Sequence, residues 1–216
     1  MPAAPLPTED SSTRQRILDA ALELFARQGF AATSVRELAR AVGLRESSLY
    51  NHFAGKEAIF RALVDAWGPA KSAERLRGPR YQALEDDPAG FCATYAADLL
   101  ELWSDPREQK FQKMLMAERT LLPAERAHYL DALFAEEAGL VGERFRTFQL
   151  AGRIATPNPH ETAWLFMAGL TFIRLEHFIL PATPSPRAKV REALVRFLGN
   201  FLALVSAAGR SAASIP

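Results

Sequence analysis

The residues best suited to do chemistry in this chain cluster between positions 45 and 52. Glu46, Ser47, Ser48 and Asn51 place a carboxylate, two hydroxyls and an amide along one helical face, and Leu49 and Phe53 mark the opposite, apolar side. Short hydrogen-bonding groups on an exposed helical edge suit base edges in a DNA major groove, or phosphate oxygens, better than a reaction centre. Catalytic constellations are absent from the sequence. The neighbouring acids Glu136 and Glu137 point to different helix faces and form no general acid/base pair. His128, His160 and His177 lack a metal-ligand spacing such as i, i+4, and no glycine-rich phosphate loop occurs. The single cysteine, Cys92, has no second thiol for a disulfide or a zinc pair. No enzyme activity, cofactor or metal site is expected.

Two short helices must hold that edge in place. Helices are expected over about 34–42 and 45–52, joined by a tight turn at Gly43-Leu44, with a third packed behind them. Ser34 and Glu37 have the spacing of a capping box. This is the helix-turn-helix layout, whose second helix enters the major groove. An amphipathic helix over 12–28 precedes the pair, with Ile17, Ala20, Ala21, Leu24 and Phe25 on one stripe, and another is expected over 56–76. Asp87-Pro88, Asp105-Pro106, Asn158-Pro159 and Ser185-Pro186 each set a capping side chain before a proline, so helices should start near 88, 106, 159 and 186. A further helix occupies about 124–150. Nine helices and no strand make the expected fold all-α.

Residues 29–60 resemble the DNA-binding domain of the TetR/AcrR family of regulators. Gly29-Phe30, Thr33-Ser34-Val35, Leu38-Ala39, Ala41-Val42-Gly43-Leu44, Leu49-Tyr50-Asn51-His52-Phe53 and Lys56-Glu57 follow the family pattern without a gap. The resemblance implies an N-terminal three-helix DNA-binding domain and a C-terminal helical domain that binds a ligand and dimerises. By position, it implies that Ser34 and Arg36 meet phosphate or a base edge, and that Arg45, Glu46, Ser47 and Ser48 open the recognition helix. Tyr50 and His52 would bond phosphate oxygens, and Asn51 a base or the DNA backbone. Lys56, at a helix N-terminus, would help clamp a phosphate. The family often has glycine or alanine where Ser47 stands and a small polar residue where Glu46 stands. A carboxylate there either repels phosphate or accepts from a cytosine amino group.

The resemblance implies a ligand-responsive regulator, a repressor, that binds a pseudo-palindromic operator on double-stranded DNA as a homodimer. A small, largely apolar effector would release it by favouring a conformer in which the fourth helix swings. The expected division is 1–11 disordered, 12–56 helix-turn-helix domain, 57–206 ligand-binding and dimerisation domain, and 207–216 flexible tail. Charge alone does not indicate DNA: the first 60 residues hold seven basic and seven acidic side chains. A purely protein-binding helical module is the rival, but it has no reason to keep the Thr-Ser and Leu-Tyr-x-His-Phe segments. With no signal-peptide pattern at residues 1–10 and no membrane-length apolar run, a cytoplasmic protein is expected, and one cysteine fits a reducing compartment.

Trp164–Leu180 is apolar on both faces, with Phe166, Leu170, Ile173 and His177 opposite Trp164, Met167, Thr171 and Phe178. Such a helix must be covered on both sides. A four-helix bundle formed by helices near 159–180 and 186–206 from two subunits satisfies that need. The aromatic and methionine content of helices five to eight suggests an effector cavity between those helices, lined by Phe91, Tyr95, Trp103, Phe111, Met114, Phe134, Phe148, Trp164 and Met167. Glu118, Arg174 and His177 are its candidate polar anchors.

Overall fold

The computed structural model describes the backbone of residues 9–67, 70–117 and 123–206, and the side chains of 12–67, 72–115 and 135–206. Its helices are α1 (Glu9–Gln28), α2 (Val35–Ala41), α3 (Glu46–Tyr50), α4 (Lys56–Trp67), α5 (Ala70–Leu76), α6 (Pro79–Gln82), α7 (Pro88–Ser104), α8 (Pro106–Ala117), α9 (Pro123–Leu150), α10 (Pro159–Arg174) and α11 (Arg187–Val205). A π-helical turn, Leu175–Ile179, continues α10. No strand occurs among the described residues, only an isolated bridge between Ile154 and Ser206. The chain divides into two compact units, residues 1–68 with 106–126, and residues 69–105 with 127–216.

In the first unit α1 sets Ile17, Ala21 and Phe25 against Leu38 of α2, Leu49 of α3 and Ile59 of α4, all fully buried. α8 lies along α1 and adds Phe111 and Met114 to the same core. Arg107 Nη2 stands 3.7 Å from Asp19 Oδ2, and Lys110 pairs with Glu23 along that seam. The boundary expected at residue 56 therefore moves. α4 and α8 both join the helix-turn-helix, because Ile59, Leu63, Phe111 and Met114 find their apolar partners there. The same packing removes Phe111 and Met114 from the expected effector cavity.

Helix ends differ from expectation in three places. α1 starts at Glu9 rather than at residue 12; Glu9 and Asp10 are residue types that the positive end of a helix dipole favours. The helix expected over 56–76 ends at Trp67, and a separate α5 starts at Ala70. The sequence between them is Gly68-Pro69, and proline supplies no N–H to a helix interior. α11 starts at Arg187, because the Ser185 hydroxyl meets His177 Nδ1 at 3.1 Å instead of capping the helix. The expectations for residues 1–8 and 207–216 lie outside the described residues.

The second unit is built on aromatic rings. Phe91 lies 5.8 Å from Phe148 and 6.3 Å from Phe145, and Phe166 lies 5.6 Å from Tyr95 and 5.1 Å from Phe201, centroid to centroid. Tilted and edge-on pairs at such separations add to the apolar burial. Asp87 Oδ1 accepts from Gly90 N–H at 2.9 Å, and Asn158 Oδ1 from His160 and Glu161 N–H at 3.0 and 3.3 Å, so α7 and α10 start at their prolines as expected. The Leu180 N–H reaches the Leu175 carbonyl at 2.9 Å, the five-residue step of the π turn. Ala163, Phe166, Leu170, Ile173 and His177 face the core, while Trp164, Leu165 and Phe172 stay exposed.

α10 and α11 approach closely at Gly169, where an added Cβ would sit 2.2 Å from Phe197 Cε2. Gly169→Ala should therefore lower stability. Overpacking of this kind costs about 1–3 kcal/mol, more than the roughly 1 kcal/mol gained from helix propensity. A urea melt of the variant should show a lower midpoint at unchanged slope.

Candidate nucleic-acid interface

Seven and five residues are too few for α2 and α3 to persist as isolated helices. Local caps and distant side chains hold them. Ser34 Oγ accepts from Glu37 N–H at 3.2 Å while Glu37 Oε2 accepts from Ser34 N–H at 2.8 Å, the reciprocal capping box the spacing predicts. Thr33, buried, donates its hydroxyl to the Gly29 carbonyl at 2.7 Å. The Ser34 bonds hold the Glu37 carboxyl below its usual value. At the other end of α2 Leu44 N–H bonds the Ala39 carbonyl at 2.8 Å and Gly43 N–H the Arg40 carbonyl at 3.1 Å, a Schellman turn. Gly43 takes φ +72°, which a side chain would strain.

Three cations tie these short helices to α1 and α4. Arg14 Nη1 donates to the His52 carbonyl at 2.8 Å and lies over the Phe53 ring. Arg16 Nη2 donates to the Val42 carbonyl at 2.6 Å. Lys56 Nζ donates to the carbonyls of Phe30, Thr33 and Ala31 at 2.8, 2.9 and 3.4 Å, above the Phe30 ring. An ammonium has three N–H donors, and all three are engaged here. Lys56 thus departs from the expected phosphate clamp: its side chain closes the turn between α1 and α2.

The remaining cations face outward. Arg36, Arg40, Arg45, Glu46 and Ser47 line an open groove of about 580 Å³ beside the Gly43 turn. Arg45, Glu46, Ser47, Tyr50 and Asn51 are exposed, Ser48 and His52 half-buried, and Leu49 and Phe53 buried, so α3 turns the expected edge outward. Ser34 and Arg36 lie exposed at the start of α2. Glu46 Oε1 stands 3.9 Å from Arg36 Nε, both side chains more than half exposed.

The candidate effector residues fall into separate places. Phe91, Tyr95 and Phe148 belong to the aromatic core, with Met167 packed at its side. Trp103 is buried near Phe178, and the Arg174 guanidinium lies 5.7 Å from the Trp103 ring centroid. His177 is buried against Ser185. Trp164 is 60% exposed on the outer face of α10 and lines no interior. Glu118 and the Phe134 side chain lie outside the described residues.

A half-buried ionic cluster in this unit escaped the sequence reading. Tyr95 donates to Glu137 Oε1 at 2.7 Å, and Arg75 Nη2 approaches the same oxygen at 3.9 Å. Asp98 accepts from Tyr81 at 2.8 Å and from Arg80 at 2.7 Å, and Arg75 Nε stands 3.5 Å from its carboxylate without a hydrogen bond. The available signal was Glu137 on the stripe of Val141, Phe145 and Phe148, a carboxylate where helical spacing calls for an apolar residue. Glu136, by contrast, faces Arg77 at the surface. Burial raises the Glu137 carboxyl despite its Tyr95 and Arg75 partners, and pushes the Cys92 thiol up to about 12, which keeps it protonated.

The capped α2, the Schellman turn and the outward edge of α3 define a helix-turn-helix domain. The family model for bacterial regulatory proteins of the TetR family matches residues 17–63. The Escherichia coli K12 transcriptional regulator UidR is 39% identical over 57 residues, 26% of this chain and 29% of UidR. The Mycobacterium tuberculosis H37Rv transcriptional repressor KstR2 is 33% identical over 115 residues, 45% of this chain and 56% of KstR2. The matches thus span under a third of UidR and just over half of KstR2. A TetR-family regulator structure from Mesorhizobium loti shares the fold at TM-score 0.72 and 19% identity, over 92% of this chain and 99% of that one. Residues 17–63 thus match the DNA-binding domain of TetR-family regulators, and the chain as a whole shares its fold with such a regulator.

Lys56→Met keeps the aliphatic stem and removes three carbonyl bonds. It should cost about 1–2 kcal/mol in a urea melt, the scale of hydrogen bonds to a charged donor. The salt dependence of any DNA binding should stay unchanged, since no phosphate contact is lost. For Glu137, the native state retains a proton that the unfolded chain has released once pH exceeds about 4.5. Stability should fall as pH rises from there through the raised native value, because the native state binds more protons in that window. Thermal melts from acid to neutral pH should show this slope in the wild type and a flatter one in Glu137→Gln.

Proposed function

We propose that the chain is a ligand-responsive repressor that binds a pseudo-palindromic operator as a homodimer and is released by a small, largely apolar effector. The observation that carries this reading is the exposed polar edge of α3 beside a groove lined by Arg36, Arg40 and Arg45. Arg40 and Arg45 there take phosphate oxygens, Arg36 is placed for phosphate or a base edge, and Ser47, Ser48 and Asn51 are placed for base edges. Ser34, Tyr50 and His52 flank them as backbone contacts.

Dimerisation is supported by the outer faces of α10 and α11. Phe172 is 64% exposed, and Leu165, Val195 and Leu204 are similarly uncovered. Side chains of this size in water on two neighbouring helices mark an interface. A two-fold axis through such a bundle would set two α3 helices into successive major grooves, roughly 34–36 Å apart. For the effector, Met167, Trp103, Arg174 and His177 combine apolar surface with charged and polar anchors. A regulator of this kind works in the cytoplasm; no helix among the described residues is long and apolar enough to cross a membrane.

Fluorescence anisotropy with duplexes from the gene's own locus tests the reading. Affinity should fall linearly in log–log form with salt, and Arg45→Ala should lessen the slope by about two for a dimer. Phe172→Asp should sediment as a monomer and bind far more weakly. A wild-type protein that sediments as a monomer and ignores these duplexes at low salt would refute the proposal.

A further inference from the structure

Glu46 is the one acid in the arginine-lined groove, and an outward carboxylate is a poor neighbour for phosphate. Its surroundings give it another use. It occupies the first turn of α3, where the helix dipole favours negative charge. Arg36 reaches it from α2 at 3.9 Å, across the turn, while leaving both groups more than half exposed. Arg40 and Arg45 line the same groove and take up the phosphate attraction that Glu46 opposes.

An ionised carboxylate only accepts hydrogen bonds. In the major groove the donors are the cytosine N4 and adenine N6 amino groups. Adenine sets its N7 acceptor beside N6, which repels a carboxylate, whereas cytosine presents N4 with no neighbouring acceptor on the same base. The partner guanine offers O6 and N7, both acceptors, which suit a guanidinium. The geometry points to the Arg36–Glu46 pair as a reader of one C·G base pair per half-site, Glu46 accepting from cytosine N4 and Arg36 donating to the guanine opposite. This rests on the DNA-binding reading above and names the residues that set its sequence preference.

Selection from a randomised duplex library, followed by anisotropy on single-base variants, tests it. The wild type should select cytosine at one position in each half-site and lose about tenfold in affinity when that pair alone is changed. Glu46→Gln should shift the preference at that position toward adenine, whose N6 and N7 match an amide. Glu46→Ala should lose discrimination there and keep it elsewhere. Arg36→Ala should weaken the same position. Circular dichroism checks that each variant folds, as expected for exposed positions. An Ala variant that binds every sequence more tightly by one common factor would show that Glu46 only repels phosphate, and would overturn the inference while leaving DNA binding intact. A wild type that selects no sequence and binds no duplex would overturn both.

Discussion

A very short helix leaves more backbone groups unbonded at its ends than it bonds within itself, and the first unit is organised around that constraint. α2 and α3 have seven and five residues, so end carbonyls dominate their energetics. Arg14, Arg16 and Lys56 answer the carbonyls of His52, Val42 and the Phe30–Thr33 turn. Each comes from a longer helix with its own buried stripe. The orientation of α3, and with it its exposed polar edge, depends on these clasps together with the burial of Leu49 in the first core.

The same constraint sorts the charges. The first 60 residues are neutral overall, yet the structure gives their cations different tasks. Three bind carbonyls within the unit. Arg36, Arg40 and Arg45 line the groove beside α3, and only Glu46 opposes them there. A locally basic groove thus arises from a chain segment with no net charge, because position rather than total charge sets the local field.

The second unit solves a different problem. Phe91, Tyr95, Phe145, Phe148, Phe166 and Phe201 fill its centre, and Gly169 lets α10 and α11 close on Phe197. The π turn at Leu175–Ile179 directs His177 inward, where it meets Ser185 and holds the start of α11. The buried tyrosine hydroxyls of this interior have carboxylate partners, Tyr95 with Glu137 and Tyr81 with Asp98. Trp164, Leu165 and Phe172 are left without a cover from their own unit.

The local features were determined by the sequence alone. The capping box at Ser34 and Glu37, the glycine stop at Gly43, and the helix starts at Pro88 and Pro159 are contacts within a few residues, so spacing reveals them. The exposed edge of α3 was legible for the same reason, since a helical period separates Leu49 and Phe53 from Ser47 and Asn51. Tertiary structure alone decided the contacts made across long separations. Lys56 turned from a phosphate clamp into a clasp because carbonyls 23 to 26 residues earlier in the chain lie beneath it. Phe111 and Met114 joined the first core because α8 returns to α1, and no periodicity states which of two cores an apolar stripe will enter. Both faces of α10 read as apolar; only packing could assign Phe166 to the interior and Trp164 to the surface.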